Sequence, residues 1–209
     1  MMKWLGCLGV LVLAVLVVGG IALGTYNSLV GLGQGVDAQW AQVENQYQRR
    51  ADLIPNLVNT VQGAANFEKS TLEEVVKARA SVGQAQVNVG SLPNDPAAFA
   101  RFQQAQDALS GALQRLMVVV ERYPELKANA NFRDLQVQIE GTENRISVER
   151  GRYNEKAQAY NTARLRVPAV LFANMFGMKE KAYFQARAGS DQAPTVNFNF
   201  GGTPAPAER

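Results

Sequence analysis

The chain of 209 residues contains no histidine and a single cysteine, Cys7. These two scarcities exclude Ser-His-Asp and Cys-His nucleophile systems, histidine-ligated metals, clustered thiolates for zinc or iron–sulfur, and a disulfide within the chain. Neither sign of charge dominates: 21 basic and 18 acidic residues are interspersed, for a net charge of +3. Charge so mild and unclustered belongs to a solvated surface, and no nucleic-acid partner is expected. Prolines number only 8, while 47% of the residues are hydrophobic, enough for a core in a chain the size of one domain with appendages.

The first segment supplies the location. From Trp4 to Leu23 the run WLGCLGVLVLAVLVVGGIAL carries no charge. At 1.5 Å per residue it matches the roughly 30 Å of a bilayer core. Lys3 precedes the run and no lysine or arginine follows until Arg49, whereas Asp37 and Glu44 lie beyond it. The positive-inside bias therefore predicts a single pass with a cytoplasmic N-terminus and an extracytoplasmic bulk. A cleaved signal peptide is the rival reading, since IALG offers small residues near the end; the length of the run favours a retained anchor. Cys7 opens the run instead of following it, which fits a small apolar residue better than a lipoprotein cysteine. Gly20 and Gly24 form a lone GxxxG, ordinary in membrane spans.

Beyond the anchor the apolar pattern is helical. Counting in sevens gives Tyr26, Gly33, Trp40, Tyr47, Ile54 and Val61, and three residues after each come Leu29, Val36, Val43, Arg50, Leu57 and Ala64. This a/d stripe predicts one long helix. Within it, QRRADLIP places Arg50 on the stripe beside Arg49 and Asp52, with Pro55 expected to bend the helix without ending it. The motif Arg49, Arg50, Asp52, Pro55 is expected to be architectural, with an arginine paired to an acidic residue of a neighbouring helix. Gly31, Gly33 and Gly35, each unfavourable by up to about 1 kcal/mol against alanine, predict fraying or a hinge just above the membrane.

A second helix is expected from Ser70-Thr71-Leu72-Glu73, a capping-box spacing, with Leu72, Val75, Val76, Arg79 and Val82 as its face. Residues 83–93 form a polar loop by composition, and Asp95 with Pro96 supplies an N-cap and a first helical position. The third stripe runs through Phe99, Phe102, Gln106, Leu109, Leu113, Leu116, Val120 and Tyr123 until Pro124 stops it. After a short connector, Phe132, Ile139, Ile146, Tyr153 and Tyr160 recur every seven residues and predict a fourth long helix. Asn154 and Asn161 each follow one of these tyrosines, a repeat that the periodicity leaves unexplained.

The expected fold is all-α: an antiparallel four-helix-type bundle after a transmembrane helix, with a short C-terminal β-strand-like tail. The expected limits are 1–24 for the cytoplasmic N-terminus and anchor, 25–166 for the bundle, 167–190 for one or two short apolar helices, and 191–209 for the tail. The default for the short helices is to cover the bundle end, the alternatives being a partner or the outer lipid face. In the tail, Val196, Phe198 and Phe200 alternate with polar residues between Pro194 and a Gly-Gly pair, a period-two pattern. A single strand leaves its own backbone groups unpaired, so the tail is expected either to be disordered or to pair with the same segment of other subunits, and the cost of exposing these three residues favours pairing.

The blocks YNSLV, VDAQWAQVENQYQRRADLIPNLVNTVQG, YPELKANANFRDLQVQIEGTENRISVERGRYNEKAQAYN and AYF resemble the LemA family of bacterial membrane-anchored proteins, over most of the stretch from Tyr26 to Phe184. The resemblance implies an N-terminal span, a long-helix body, a place at the bacterial inner membrane, and no catalytic residue or cofactor to carry across. Some relatives are associated with magnetosome membranes. Four carboxylate groupings, Glu73-Glu74, Glu121 with Glu125, Glu140 with Glu143 and Glu149 with Glu155, are available for acid–base work. They sit among arginines on charge-rich faces that do not perturb acids, so no catalytic, cofactor-binding or metal-binding residue is assigned. The reading is a non-enzymatic, self-assembling scaffold whose partners are the lipid membrane, copies of itself and other envelope proteins. The alternative is a monomeric adaptor or ligand-sensing module.

Overall fold

An apolar residue every seven positions keeps one side of a helix dry, and a helix with one dry side must find a neighbour. The computed structural model describes residues 2–64, 67–85 and 89–186. Every regular element among them is helical: α1 (Met2–Gln62), α2 (Lys69–Ala85), a 3-10 segment (Val89–Asn94), α3 (Pro96–Val120), α4 (Pro124–Ala128), α5 (Ala130–Leu165) and α6 (Ala169–Met175). The fold is all-α.

At 61 residues α1 is about 90 Å long. Its first part is uncovered: an 18-residue window has a mean hydropathy of 2.3 and none of it is buried. It is the one helix among the described residues long and apolar enough to cross a membrane, and Trp4 and Leu23 both lie in it. Burial begins at Leu29 and then follows the stripe through Val36, Trp40, Val43, Tyr47, Arg50, Ile54, Leu57 and Val61. The glycines neither break nor hinge the helix, which is continuous through all three. Gly33 lies against the ring of Tyr160, so the tertiary contact there offsets its poor propensity.

The other long helices share this logic. α1 and α5 run antiparallel, with Gly33 against Tyr160 at one end and Arg50 against Glu143 further along. α2 and α3 are antiparallel as well, joined by Glu68–Arg122 and Glu74–Arg115. Asp107–Arg150 and Ser110–Glu143 set α3 against α5 in the same sense. Asp95 caps α3 by accepting from the N–H groups of Ala97 at 3.1 Å and Ala98 at 3.0 Å, with Pro96 at the first turn.

The structure departs from the sequence reading in several places. Ser70 lies inside α2, which starts at Lys69, and its hydroxyl donates to Glu68, so no capping box forms. The buried face of α2 is Thr71, Leu72, Val75 and Val82; Val76 and Arg79 are exposed, because the helix is rotated by a fraction of a turn relative to the expected stripe. Pro124 begins the short α4 where an unstructured connector was expected, and residues 83–85 are helical instead of loop. Among the described residues of 167–190 there is one helix, α6, followed by an extended strap over 178–186. The tail residues Val196, Phe198 and Phe200 lie outside the described residues.

Candidate functional site

The apolar interior is divided in two. A membrane-proximal cluster gathers Val36, Trp40, Tyr47, Phe99, Phe102, Tyr153 and Phe184. A distal cluster gathers Ile54, Leu57, Leu109, Leu116, Phe132 and Ile139. Between them every long helix that contributes to both supplies a polar residue at a stripe or near-stripe position: Arg50 from α1, Gln106 and Ser110 from α3, Glu143 from α5.

Arg50 is 1% exposed and is the hub of this layer. Its Nη1 donates to Ser110 Oγ at 2.7 Å and to Glu143 Oε1, with which it forms an ion pair; its Nη2 donates to Gln106 Oε1. The guanidinium also lies over the Tyr47 ring, 5.3 Å from its centre. Three hydrogen bonds and one ring face on a planar cation satisfy most of what burial takes from it. Arg49 and Asp52 are exposed, the latter accepting from Gln48 at 2.8 Å. Pro55 sits half-buried in a helix that continues to Gln62. Of the motif, therefore, Arg50 alone enters the layer.

Some of the layer's atoms have no protein partner: Tyr47 hydroxyl, Arg50 Nε, Gln106 Nε2 and Gln46 Oε1. Burial pushes the Tyr47 hydroxyl up to about 12, with Arg150 and then Arg50 pulling the other way. The hydroxyl therefore stays protonated at neutral pH. A cavity of about 340 Å³ opens beside it, lined among others by Tyr47, Arg50, Gln106, Arg150, Asn154 and Gln185. Arg150 holds Asp107 at 3.3 Å and stacks over Phe184 at 4.4 Å.

The strap forms the other wall, and sequence reasoning did not find it. Asn154 Nδ2 donates to the Phe184 carbonyl and its Oδ1 accepts from the Phe184 N–H, both at 2.9 Å. One heptad later Asn161 repeats the pair on Lys181, at 2.8 and 2.9 Å. Gln103 of α3 does the same for Gln185, and Tyr153 Oη donates to the Ala182 carbonyl at 3.0 Å. Side-chain amides thus do for this extended segment what a neighbouring strand does in a sheet. Phe184 is thereby held among Trp40, Phe99 and Tyr153, 4.7 Å from the Phe99 ring centre. Lys181 is buried with its Nζ on Asp37 at 2.7 Å. The signal was the repeated tyrosine-asparagine pair on α5.

The carboxylates singled out for acid–base work are dispersed. Glu73 pairs with Lys69 at 3.6 Å, Glu74 with Arg115, Glu121 with Lys127 at 2.5 Å, Glu143 with Arg50, and Glu149 with Arg152 at 2.7 Å. Glu140 accepts from Gln136. Among the described residues no three of His, Cys, Asp and Glu gather where a metal ion would be held.

The sequence profile of the LemA family matches residues 39–198, which takes in the polar layer, both asparagine clamps and the strap. The chain belongs to the LemA family. Magnetosome protein MamQ 2 of Paramagnetospirillum magneticum is 28% identical over 181 residues, covering 79% of this chain and 66% of that protein. Magnetosome protein MamQ of Magnetospirillum gryphiswaldense is 27% identical over the same shares. The match therefore leaves about a third of each relative's length uncovered. Together with the exposed apolar part of α1, membership of this family marks the chain as a membrane-associated protein.

Proposed function

We propose that this LemA-family chain is a non-catalytic, single-pass protein of the bacterial inner membrane whose extracytoplasmic part is an antiparallel four-helix bundle, and that copies of it assemble into a scaffold. The observation that carries the reading is the continuity of α1. One helix runs from the unburied apolar stretch into the centre of both core clusters, so the body is fixed rigidly to its anchor with no linker between them. Lys3 before the run and its lack of followers until Arg49 support the orientation. Engagement of the carboxylates by cations supports a structural role for them.

Assembly is supported by the tail. Val196, Phe198 and Phe200 alternate with polar residues in the sequence, a pattern that would put them on one face of a strand, and burying each would contribute about 1.5–3 kcal/mol. Pairing between tails, closed into a ring, satisfies their edges. Two differently tagged copies expressed together should be recovered as one complex from detergent extracts, and recovery of each tag alone argues against assembly. A second reading, a ligand-sensing module, draws on the cavity, whose lining includes Tyr47, Arg50 and Gln106, each with a buried polar atom that has no protein partner.

A further inference from the structure

The antiparallel register brings the C-terminal end of α5 back to the foot of the body. Tyr160 lies at the level of Gly33, so Leu165, five residues on, falls at about the level of residue 28 of α1. The chain then turns into α6, which packs against both α1 and α5. Phe176, just after α6, meets Tyr26 edge to face with ring centres 5.0 Å apart. Tyr26 is three residues beyond Leu23, where the continuous apolar run gives way to Gly24, Thr25, Tyr26, Asn27 and Ser28, a rise of about 4.5 Å along the helix. The headgroup layer of a bilayer is about 5–8 Å thick on each side. The foot of the body therefore stands within it.

The side chains at this level are the wrong kind for water. Ala173 is the buried contact of α6, while Leu171 and Met175, one turn apart on its other side, are 68% and 66% exposed. Leu165, Val167 and Phe176 extend the same uncovered apolar surface. Arg166 and Lys179, both exposed, bracket it, with Glu180 beyond. Apolar side chains flanked by cations, and aromatic rings at the edge of the span, are the composition of a segment that lies in a membrane interface.

We propose that the exposed face of α6, with Leu165 and Val167 before it, is a second membrane contact: it rests in the headgroup layer of the same leaflet from which α1 emerges, with Arg166 and Lys179 against lipid phosphates. This rests on the anchor reading of α1. It makes the attachment two-point, so the tilt of the body relative to the bilayer is fixed while it stays free to turn about the membrane normal. Any assembly of these chains then brings its subunits together at one common height and tilt above the bilayer.

The test uses the full chain in lipid nanodiscs, with Cys7→Ser and one environment-sensitive fluorophore on a new cysteine. Leu171→Cys and Met175→Cys probe the face, Val118→Cys on α3 is the reference far from the membrane, and Val15→Cys reports the span. Each is challenged with shallow nitroxide lipids and with aqueous iodide. The labels at Leu171 and Met175 are expected to be quenched by the nitroxide lipids several-fold more than the label at Val118, and by iodide less. Iodide access equal to that of Val118, with the Val15 label quenched by lipid, overturns the α6 contact and leaves the anchor standing. Iodide access at Val15 overturns the anchor reading and the proposal together. Protection of Leu171 and Met175 from both quenchers places protein on that face and overturns the lipid contact.

Discussion

Arg79 Nε donates to the backbone carbonyl of Ala51 at 3.4 Å, reaching from α2 to α1. Ala51 is the residue four before Pro55, so its carbonyl is the one that the proline leaves without a helical donor. A neighbouring helix supplies what the chain itself withholds.

Pro55→Ala restores the missing N–H and removes a residue about 3 kcal/mol worse than alanine in a helix interior, offset in part by the freer unfolded chain. The expected outcome is a gain of about 1–3 kcal/mol by denaturant unfolding. Arg79→Ala should cost less than about 1 kcal/mol in the native background and next to nothing beside Pro55→Ala. Equal costs in the two backgrounds contradict the pairing.

The asparagine clamps lend themselves to a local measurement. Asn154→Ala removes both hydrogen bonds to Phe184, and Asn161→Ala both to Lys181. Each loss should cost about 1–3 kcal/mol, since the backbone groups left behind are partly or wholly buried. Amide exchange at the clamped residue should accelerate while exchange in the middle of α5 is unchanged.

Arg50 separates truncation from replacement. Arg50→Ala leaves Glu143, Ser110 and Gln106 facing a hole and should cost about 3–5 kcal/mol. Arg50→Met combined with Glu143→Leu replaces the ion pair by apolar side chains and should recover part of that loss, the remainder reflecting buried Gln106 and Ser110 left without those partners. If the double variant is as unstable as Arg50→Ala, the layer contributes more than the pairing of one cation.

Much of this was legible beforehand because burial in long helices follows the heptad. Trp40, Tyr47 and Ile54 on α1, the α3 stripe from Phe99 to Val120, and the five recurrences on α5 are all buried. The Asp95 cap was legible for the same reason, that its partners are its own next residues. The strap was not. Residues 178–186 are extended, but their partners are side-chain amides on two other helices, and no local period records that. The rotation of α2 was illegible too, since its exposed Val76 is as apolar as its buried Val75. The polar layer lay in between: Arg50 stood out on its stripe, whereas the convergence of Gln106, Ser110 and Glu143 upon it depends on register between helices.

Alkaline pH should expose the buried phenols. Tyr47 ionises near 10 when unfolded and near 12 when folded, so the folded state keeps a proton that the unfolded state gives up. Its contribution is intact below pH 10 and is lost at about 1.4 kcal/mol per pH unit as the pH rises toward 12. Burial raises Tyr153 and Tyr160 in the same direction. Tyr47→Phe should flatten the decline in part and, because the hydroxyl has no partner, leave stability at neutral pH unchanged or up to about 1 kcal/mol higher. Unfolding midpoints across that range check both halves.

The scaffold itself is tested most directly by particle mass. The full chain, purified in detergent or in lipid nanodiscs, should have the mass of several copies, and truncation after Asp191, which removes Val196, Phe198 and Phe200, should lower that mass while helical content is kept. A full-length chain that is monomeric from the outset, or a mass unchanged by the truncation, contradicts assembly through the tail.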